Sequence, residues 1–282
     1  MRSVLAGVLM AGALAGPAGA QTPAPAAAPA EALPDRFQID TGYFRLDAQT
    51  ILRFNGGPVT GDVDFEKDLG VPPQVNTFWV DATWRVGRRH QLKLSFTRLS
   101  RERDDRTLQR DLVWGGETFN AGLTGHATTG SDLLGGYYHF ALFRNDRFEI
   151  GPSVGVGYLW LRAGIEATGT ITGPGGSPVS RNLQRSASTG AITGALGGYT
   201  AFWPLRRLAL RGDFLYIKVG SDLTESSVKD WRLGADVYFL RNVGLGVQYK
   251  YNHYTQQREI LDSKLGGDVI YKGVQVFASF LF

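Results

Sequence analysis

The 282-residue chain contains no cysteine, which removes thiol catalysis, disulfide staples and thiolate metal sites together. Histidine is scarce, with only His90, His126, His139 and His253. A dominant charge of one sign is missing as well. The formal charge is +4, from 30 Lys and Arg against 26 Asp and Glu. The basic residues form no long block, so a nucleic-acid partner has little support. Beyond residue 20 no uninterrupted apolar run reaches the roughly 20 residues that a membrane helix requires. No stretch sustains the 3.6-residue period of an amphipathic helix either.

What is present begins with an export signal. Residues 1–20 combine Arg2, a short apolar run from Val4 to Ala15, and the small residues Ala18-Gly19-Ala20 ahead of Gln21, the pattern of a cleaved signal peptide. Residues 21–36 are rich in Pro and Ala and read as an extended periplasmic tether. Residues 37–282 form the folded domain.

That domain has a period of two. Phe78, Val80, Ala82, Trp84 and Val86 alternate with Trp79, Asp81, Thr83 and Arg85. Val243, Leu245, Val247, Tyr249 and Tyr251 alternate with Gly244, Gly246, Gln248 and Lys250. Each such segment carries one apolar wall and one polar or glycine wall, as a strand does. Several run for ten residues or more, against about 5–6 in a typical soluble strand and about 9–11 in a tilted membrane strand.

The links between segments alternate strictly in length. Tight ones occur at 87–90, 144–147, 204–207 and 241–242. Long polar ones cover 55–75, 101–123, 166–185, 220–229 and 255–268. Short turns at one end and long loops at the other are the pattern of an outer-membrane barrel. The expected fold is all-β: a transmembrane antiparallel up-and-down barrel of about ten strands, with eight and twelve as alternatives. The strands are placed at 37–54, 76–86, 90–100, 124–143, 147–165, 186–203, 208–219, 228–240, 243–254 and 269–282. Within 101–123, "TLQRDLVWGGETF" could form a hairpin above the membrane.

The chain ends on "YKGVQVFASFLF", where Val274, Val276, Ala278, Phe280 and Phe282 share one wall. An unpaired edge in lipid leaves backbone groups unsatisfied, so this strand must close onto the first. The alternating end with a terminal Phe resembles that of Gram-negative outer-membrane β-barrels, porin-like and small, of the OmpA–OmpW type. The resemblance implies location in the outer membrane, with Phe280 and Phe282 as a signal to the barrel-assembly machinery.

If the apolar parity faces lipid, Arg45, Asp47, Asp81, Arg85, Lys93, Glu149, Arg211, Asp213, Arg232, Asp236 and Lys250 project into the lumen. Arginine at the midplane of the lipid face costs roughly 2–4 kcal/mol, which fixes the register. Two readings of these charges stand: an interlocked network that plugs and braces the barrel, or the lining of a narrow channel for small solutes. At the outer rim Arg98, Arg101 and Arg103 either contact lipopolysaccharide phosphate or form salt bridges within their loop. Arg88, Arg89, Arg144, Arg147, Arg206, Arg207 and Arg241 mark the tight turns, where they meet lipid phosphates or keep the turns soluble.

An enzyme acting on lipid or peptide at the rim would use His126 or His253 as base, but neither has a recognisable nucleophile in sequence. The acidic run Asp62, Asp64, Glu66 and Asp68 has the spacing of a calcium loop, yet Lys67 stands where an EF-hand needs Gly, so it reads as a solvated loop. "GPGGSP" at 173–178 reads as a loop tip. No catalytic residue, cofactor or metal is assigned. The expected role is an integral envelope barrel with a charge-plugged lumen and long extracellular loops, touching outer-membrane lipid and possible extracellular partners, and not an enzyme.

Overall fold

The computed structural model describes residues 36–56, 59–108, 111–114, 117–172, 178–221, 224–260 and 263–282. The signal, nearly all of the tether, and the glycines of 173–177 lie outside these residues. Among these described residues there are fourteen strands: β1 (Phe37–Gly56), β2 (Val59–Asp64), β3 (Gln74–Arg85), β4 (His90–Thr107), β5 (Leu112–Trp114), β6 (Glu117–Phe119), β7 (Thr124–Phe140), β8 (Phe143–Arg144), β9 (Phe148–Thr172), β10 (Pro178–Leu205), β11 (Leu208–Ser221), β12 (Thr224–Tyr238), β13 (Val243–Ile260) and β14 (Ser263–Leu281).

Ten of them close into an antiparallel barrel in the order β1, β3, β4, β7, β9, β10, β11, β12, β13, β14. The ring is shut by β14 against β1, with Leu281 opposite Gln38 and Phe280 opposite Ile39. Beyond that ladder Phe282 N–H donates to Phe37 O at 2.8 Å and Phe37 N–H returns to Phe282 O at 3.1 Å. β2 folds back onto β1, β8 lies against β9 in a turn, and β5 pairs with β6 as a separate hairpin inside 101–123. Pro204 sits where the β10–β11 register shifts between Phe202 and Leu205, a position that does not need its missing N–H.

Three of the long links differ from expectation. The stretches read as loops at 166–185, 220–229 and 255–268 are continuations of their strands. The ladders run on to Thr172–Pro178, Ser221–Thr224 and Ile260–Ser263. These segments lack an apolar outward wall because they stand in water, where a sheet needs no such wall.

The alternation keeps its phase but reverses its polarity partway up. On β9 the outward side chains from Ile150 to Trp160 are apolar, the height of a hydrocarbon slab, and Arg162 and Glu166 follow outward above them. Inward, β9 carries Glu149 and Ser153 low down and Leu159, Ile165 and Ala167 higher up, all buried. Below the switch the barrel is apolar outside and polar inside. Above it the arrangement is that of a water-soluble protein. Exposed apolar side chains such as Phe78, Leu94, Val156, Ile192, Leu233 and Val276 make the lower belt, the outward apolar band of a membrane barrel.

This switch corrects two assignments. Arg45 and Asp47 point outward, while Phe44, Leu46 and Ala48 fill the lumen. Above Tyr43 the strand has left hydrocarbon, so the rule that keeps charge off the outer wall no longer applies.

Candidate functional site: lumen and outer rim

The lumen is layered. At the turn end Glu149, fully buried, gathers Arg85 through two contacts at 3.3 and 3.0 Å, Gln91 at 2.5 Å, the Tyr199 hydroxyl at 2.6 Å and Arg144 at 3.5 Å. Beside it Arg211 holds Asp236 at 2.7 Å and Asp40 at 3.6 Å, and donates to the Tyr238 hydroxyl at 2.5 Å. Next comes a chain of pairs. Asp81 meets Arg232 at 2.6 Å and Lys93 at 3.2 Å. Asp213 takes Lys93 at 3.4 Å and Arg232 at 3.8 Å. Asp230 takes Lys250 at 3.7 Å and the Asn252 amide at 2.8 Å.

Six carboxylates (Asp40, Asp81, Glu149, Asp213, Asp230, Asp236) thus face six cations (Arg85, Lys93, Arg144, Arg211, Arg232, Lys250). Nine of the eleven residues read from sequence as the lumen network are among them; Arg45 and Asp47 are not. Asp40, Asp230 and Arg144 join it: Asp40 because the even-numbered wall of β1 is the inner one, and Arg144 because it reaches from its turn to Glu149. A polar cavity of about 100 Å³ opens at the turn end between Gln38, Arg85, Lys93, Tyr199 and Arg211.

Above the charges lie apolar layers that alternation alone did not announce. Phe44, Leu46, Trp79, Leu99, Tyr271 and Phe277 form one buried cluster, with Trp79 edge-on to Phe277 at 5.3 Å. At the mouth the segment after β2 folds inward, and Val63, Phe65, Leu69 and Val71 pack with Leu108, Phe119, Leu123 and Ile165.

Glu66 belongs to this inturned segment. It accepts from Thr50 N–H at 2.8 Å and from Arg101 at 2.5 Å, while Arg101 also donates to Thr50 Oγ1 at 2.6 Å. Burial pushes the Glu66 carboxyl above its ordinary 4.5, although Thr50 N–H and Arg101 pull the other way. Burial likewise raises Asp64, but hydrogen bonds from Lys67 N–H and Gln49 carry it below its ordinary 3.8. The acidic run is therefore a folded latch, not a solvated loop. Among the described residues no group of acids and histidines is arranged to hold a metal ion.

Of the three rim arginines, Arg101 is corrected: it is buried in the mouth and cannot reach lipid. Arg98 and Arg103 are exposed. Arg98 pairs with Asp132 at 3.2 Å, and Asp132 also takes Arg162 at 3.0 Å. This outward trio belongs to a larger pattern. Among the described side chains, the first charged one on the outward wall above the apolar belt is Arg45 on β1, Arg98 on β4, Asp132 on β7, Arg162 on β9, Lys218 on β11, Lys229 on β12 and Lys272 on β14. Six of these seven are basic, and the one acid lies between two of the arginines. The signal was in the sequence, as the residue at which each apolar parity first becomes charged. At the opposite end all the turn arginines except Arg144 are exposed.

Among the described residues the histidines form no triad. His139 is buried and bonded to Ser153 at 2.6 Å, and His90 to Tyr138 at 2.6 Å. His253 places both Thr255, at 3.3 Å, and Asp268, at 3.7 Å, on the same Nε2, whereas a base must be oriented through one nitrogen and act through the other. His126 touches Asp104 through Nδ1 on the outer wall, and among the described residues no hydroxyl is bonded to its Nε2.

No protein-family model matches the sequence, and no curated protein matches it. Solved structures do. The outer membrane protease OmpT from Escherichia coli aligns at a TM-score of 0.55 with 12% identity, covering 88% of this chain and 97% of that one. The attachment invasion locus protein Ail of Yersinia pestis aligns at 0.31 with 12% identity, over 86% and 99%. The outer membrane protein OprG from Pseudomonas aeruginosa aligns at 0.34 with 11% identity, over 87% and 95%. The fold is that of Gram-negative outer-membrane β-barrels.

Proposed function

We propose that the protein is a non-conducting structural barrel of the Gram-negative outer membrane that engages the phosphates of outer-leaflet lipopolysaccharide around its rim. The observation that carries this reading is the basic ring of Arg45, Arg98, Arg162, Lys218, Lys229 and Lys272. Each cation near an anionic surface is worth about 1 kcal/mol, and arginines bridged by one carboxylate, as Arg98 and Arg162 are by Asp132, stand ready for multidentate phosphate contact. Replacing the six with Gln and measuring lipopolysaccharide retained through detergent purification tests it: retention falls on this reading, and unchanged retention ends it.

The closed-lumen half rests on the matched charges and the packed mouth. In a planar bilayer the protein is expected to give no steady openings; regular ion-sized steps would favour a narrow channel instead. Catalysis forms no part of the reading, because among the described residues neither outer-wall histidine has a nucleophile and an orienting acid on opposite nitrogens.

A further inference from the structure

We infer that the lipid-facing wall near the tight turns binds one anionic phospholipid of the inner leaflet, its acyl chain in a groove and its phosphate on Arg88 and Arg89. The groove is open to the outside and has a volume of about 800 Å³, inside the range of about 300–1,000 Å³ typical of small-molecule sites. It is built mainly from outward side chains of β3, β4, β7 and β9. In one cross-strand row Trp84, Leu92, Tyr138 and Val154 follow one another around the barrel. One pleat further from the turns the row is Ala82, Leu94, Gly136 and Val156. Ala82 and Gly136 are its low points, so the wall sinks on either side of Leu94, while Trp84 and Tyr138 rise beside it. All of this lies within the apolar belt, where the occupant is hydrocarbon.

The turn end of an outer-membrane barrel faces the periplasm, which places the headgroups at this height in the inner leaflet. There the groove meets polar groups. The Tyr138 hydroxyl shares a hydrogen bond with His90 Nδ1 at 2.6 Å, and Arg88 and Arg89 precede His90 in the turn that joins β3 to β4. That turn is tied down. Ala141 N–H donates to Arg89 O at 2.7 Å, and the Arg144 guanidinium donates to Arg88 O.

Charge selects the headgroup. The Arg88 and Arg89 side chains are exposed, and among the described residues neither forms an ion pair. No acid occurs in residues 82–94 or 133–145, the segments that make this corner. Both cations are therefore open to a phosphate, which a guanidinium meets through paired hydrogen bonds. A zwitterionic headgroup would bring an ammonium for which the corner holds no carboxylate.

The test refolds the full chain in detergent free of lipopolysaccharide, adds equal phosphatidylglycerol and phosphatidylethanolamine of the same acyl chains, and counts bound lipid by native mass spectrometry. One phosphatidylglycerol per chain is expected to persist. Replacing Arg88 and Arg89 together by Gln lowers its retention roughly tenfold, as the loss of two surface cations implies. Gly136→Leu fills the groove and loses both lipids. A methyl there meets only Leu94 Cδ2 at 3.6 Å, so this variant should fold and stay heat-modifiable. Equal retention of the two lipids, no retained lipid, or retention untouched by Gly136→Leu overturns the proposal; should that variant fail to fold, unchanged retention in the arginine double variant does so. The six-Gln rim variant should keep its phosphatidylglycerol, and loss there would put the site at the other end and overturn the inference. The outcome is thus independent of the lipopolysaccharide reading.

Discussion

Arg232 on β12 and Asp81 on β3 meet at 2.6 Å in the middle of the lumen, four strands apart around a ten-strand ring. Both side chains are almost wholly enclosed. Removing one partner of such a pair leaves a bare charge and costs about 3–5 kcal/mol, whereas replacing both by apolar groups of similar volume is close to neutral. Arg232→Ala and Asp81→Ala are each expected to lower the temperature at which the heat-modifiable band converts on a gel. The double variant Arg232→Met, Asp81→Leu should recover most of that loss. A double variant as unstable as the two singles added together would mean that the two charges do not act as a pair.

Inward glycines make room for rings. A methyl group at Gly246 would lie 2.3 Å from Phe277 Cζ and 2.6 Å from Asp236 Oδ1, so the ring and a network carboxylate would both have to move. Gly246→Ala is expected to destabilise the barrel by about 1–3 kcal/mol, read by urea unfolding in detergent. Gly136→Ala serves as the control, since its methyl would meet only Leu94 Cδ2 at an ordinary 3.6 Å.

Closure should depend on the final strand. Deleting residues 278–282 strips the lower part of β1, Phe37 to Thr41, of its β14 partner within the lipid belt, at several kcal/mol for each unsatisfied backbone group. No heat-modifiable species is expected from that variant, whereas Phe282→Leu, which keeps the backbone pairing, should still fold.

The inturned segment at the mouth should respond to pH in two opposed ways. Glu66 is raised above 4.5, so its contribution is complete below that value and declines as pH rises through its folded-state pKa. Asp64 is lowered below 3.8, so its contribution is complete above that value and is lost as pH falls through its own. Local opening of residues 64–73, followed by amide exchange corrected for intrinsic rate, should be rarest between the two. Glu66→Gln should flatten the upper limb and Asp64→Asn the lower.

Much of this was legible in sequence because lipid enforces one rule without exception over a fixed height: Val274, Val276, Ala278, Phe280 and Phe282 share a wall, and so do their counterparts on other strands. The strands, their register and the lower charge layer follow from it. Legibility stopped where the lipid stops. Arg45 and Arg101 depart from the simple pattern because above the belt the inner wall is the apolar one, as Leu46, Leu99 and Ile165 record. Tall hairpins such as 166–185 looked like loops for the same reason, since serine, glycine and arginine on a watered wall carry no strand signature of their own. The mouth cluster joins residues from β2 to β9 and depends on how the segment after β2 turns back, which no local period encodes.

The reversal of polarity along each strand also sets a waterline. Sinking the molecule by one pleat, about 6.6 Å, would drag Arg45, Arg162 and Lys272 into oil; raising it by the same step would strand Tyr43, Trp160 and Val274 in water. Its draught is therefore fixed to within a pleat, and whatever stands above that line is held at a constant height over the membrane.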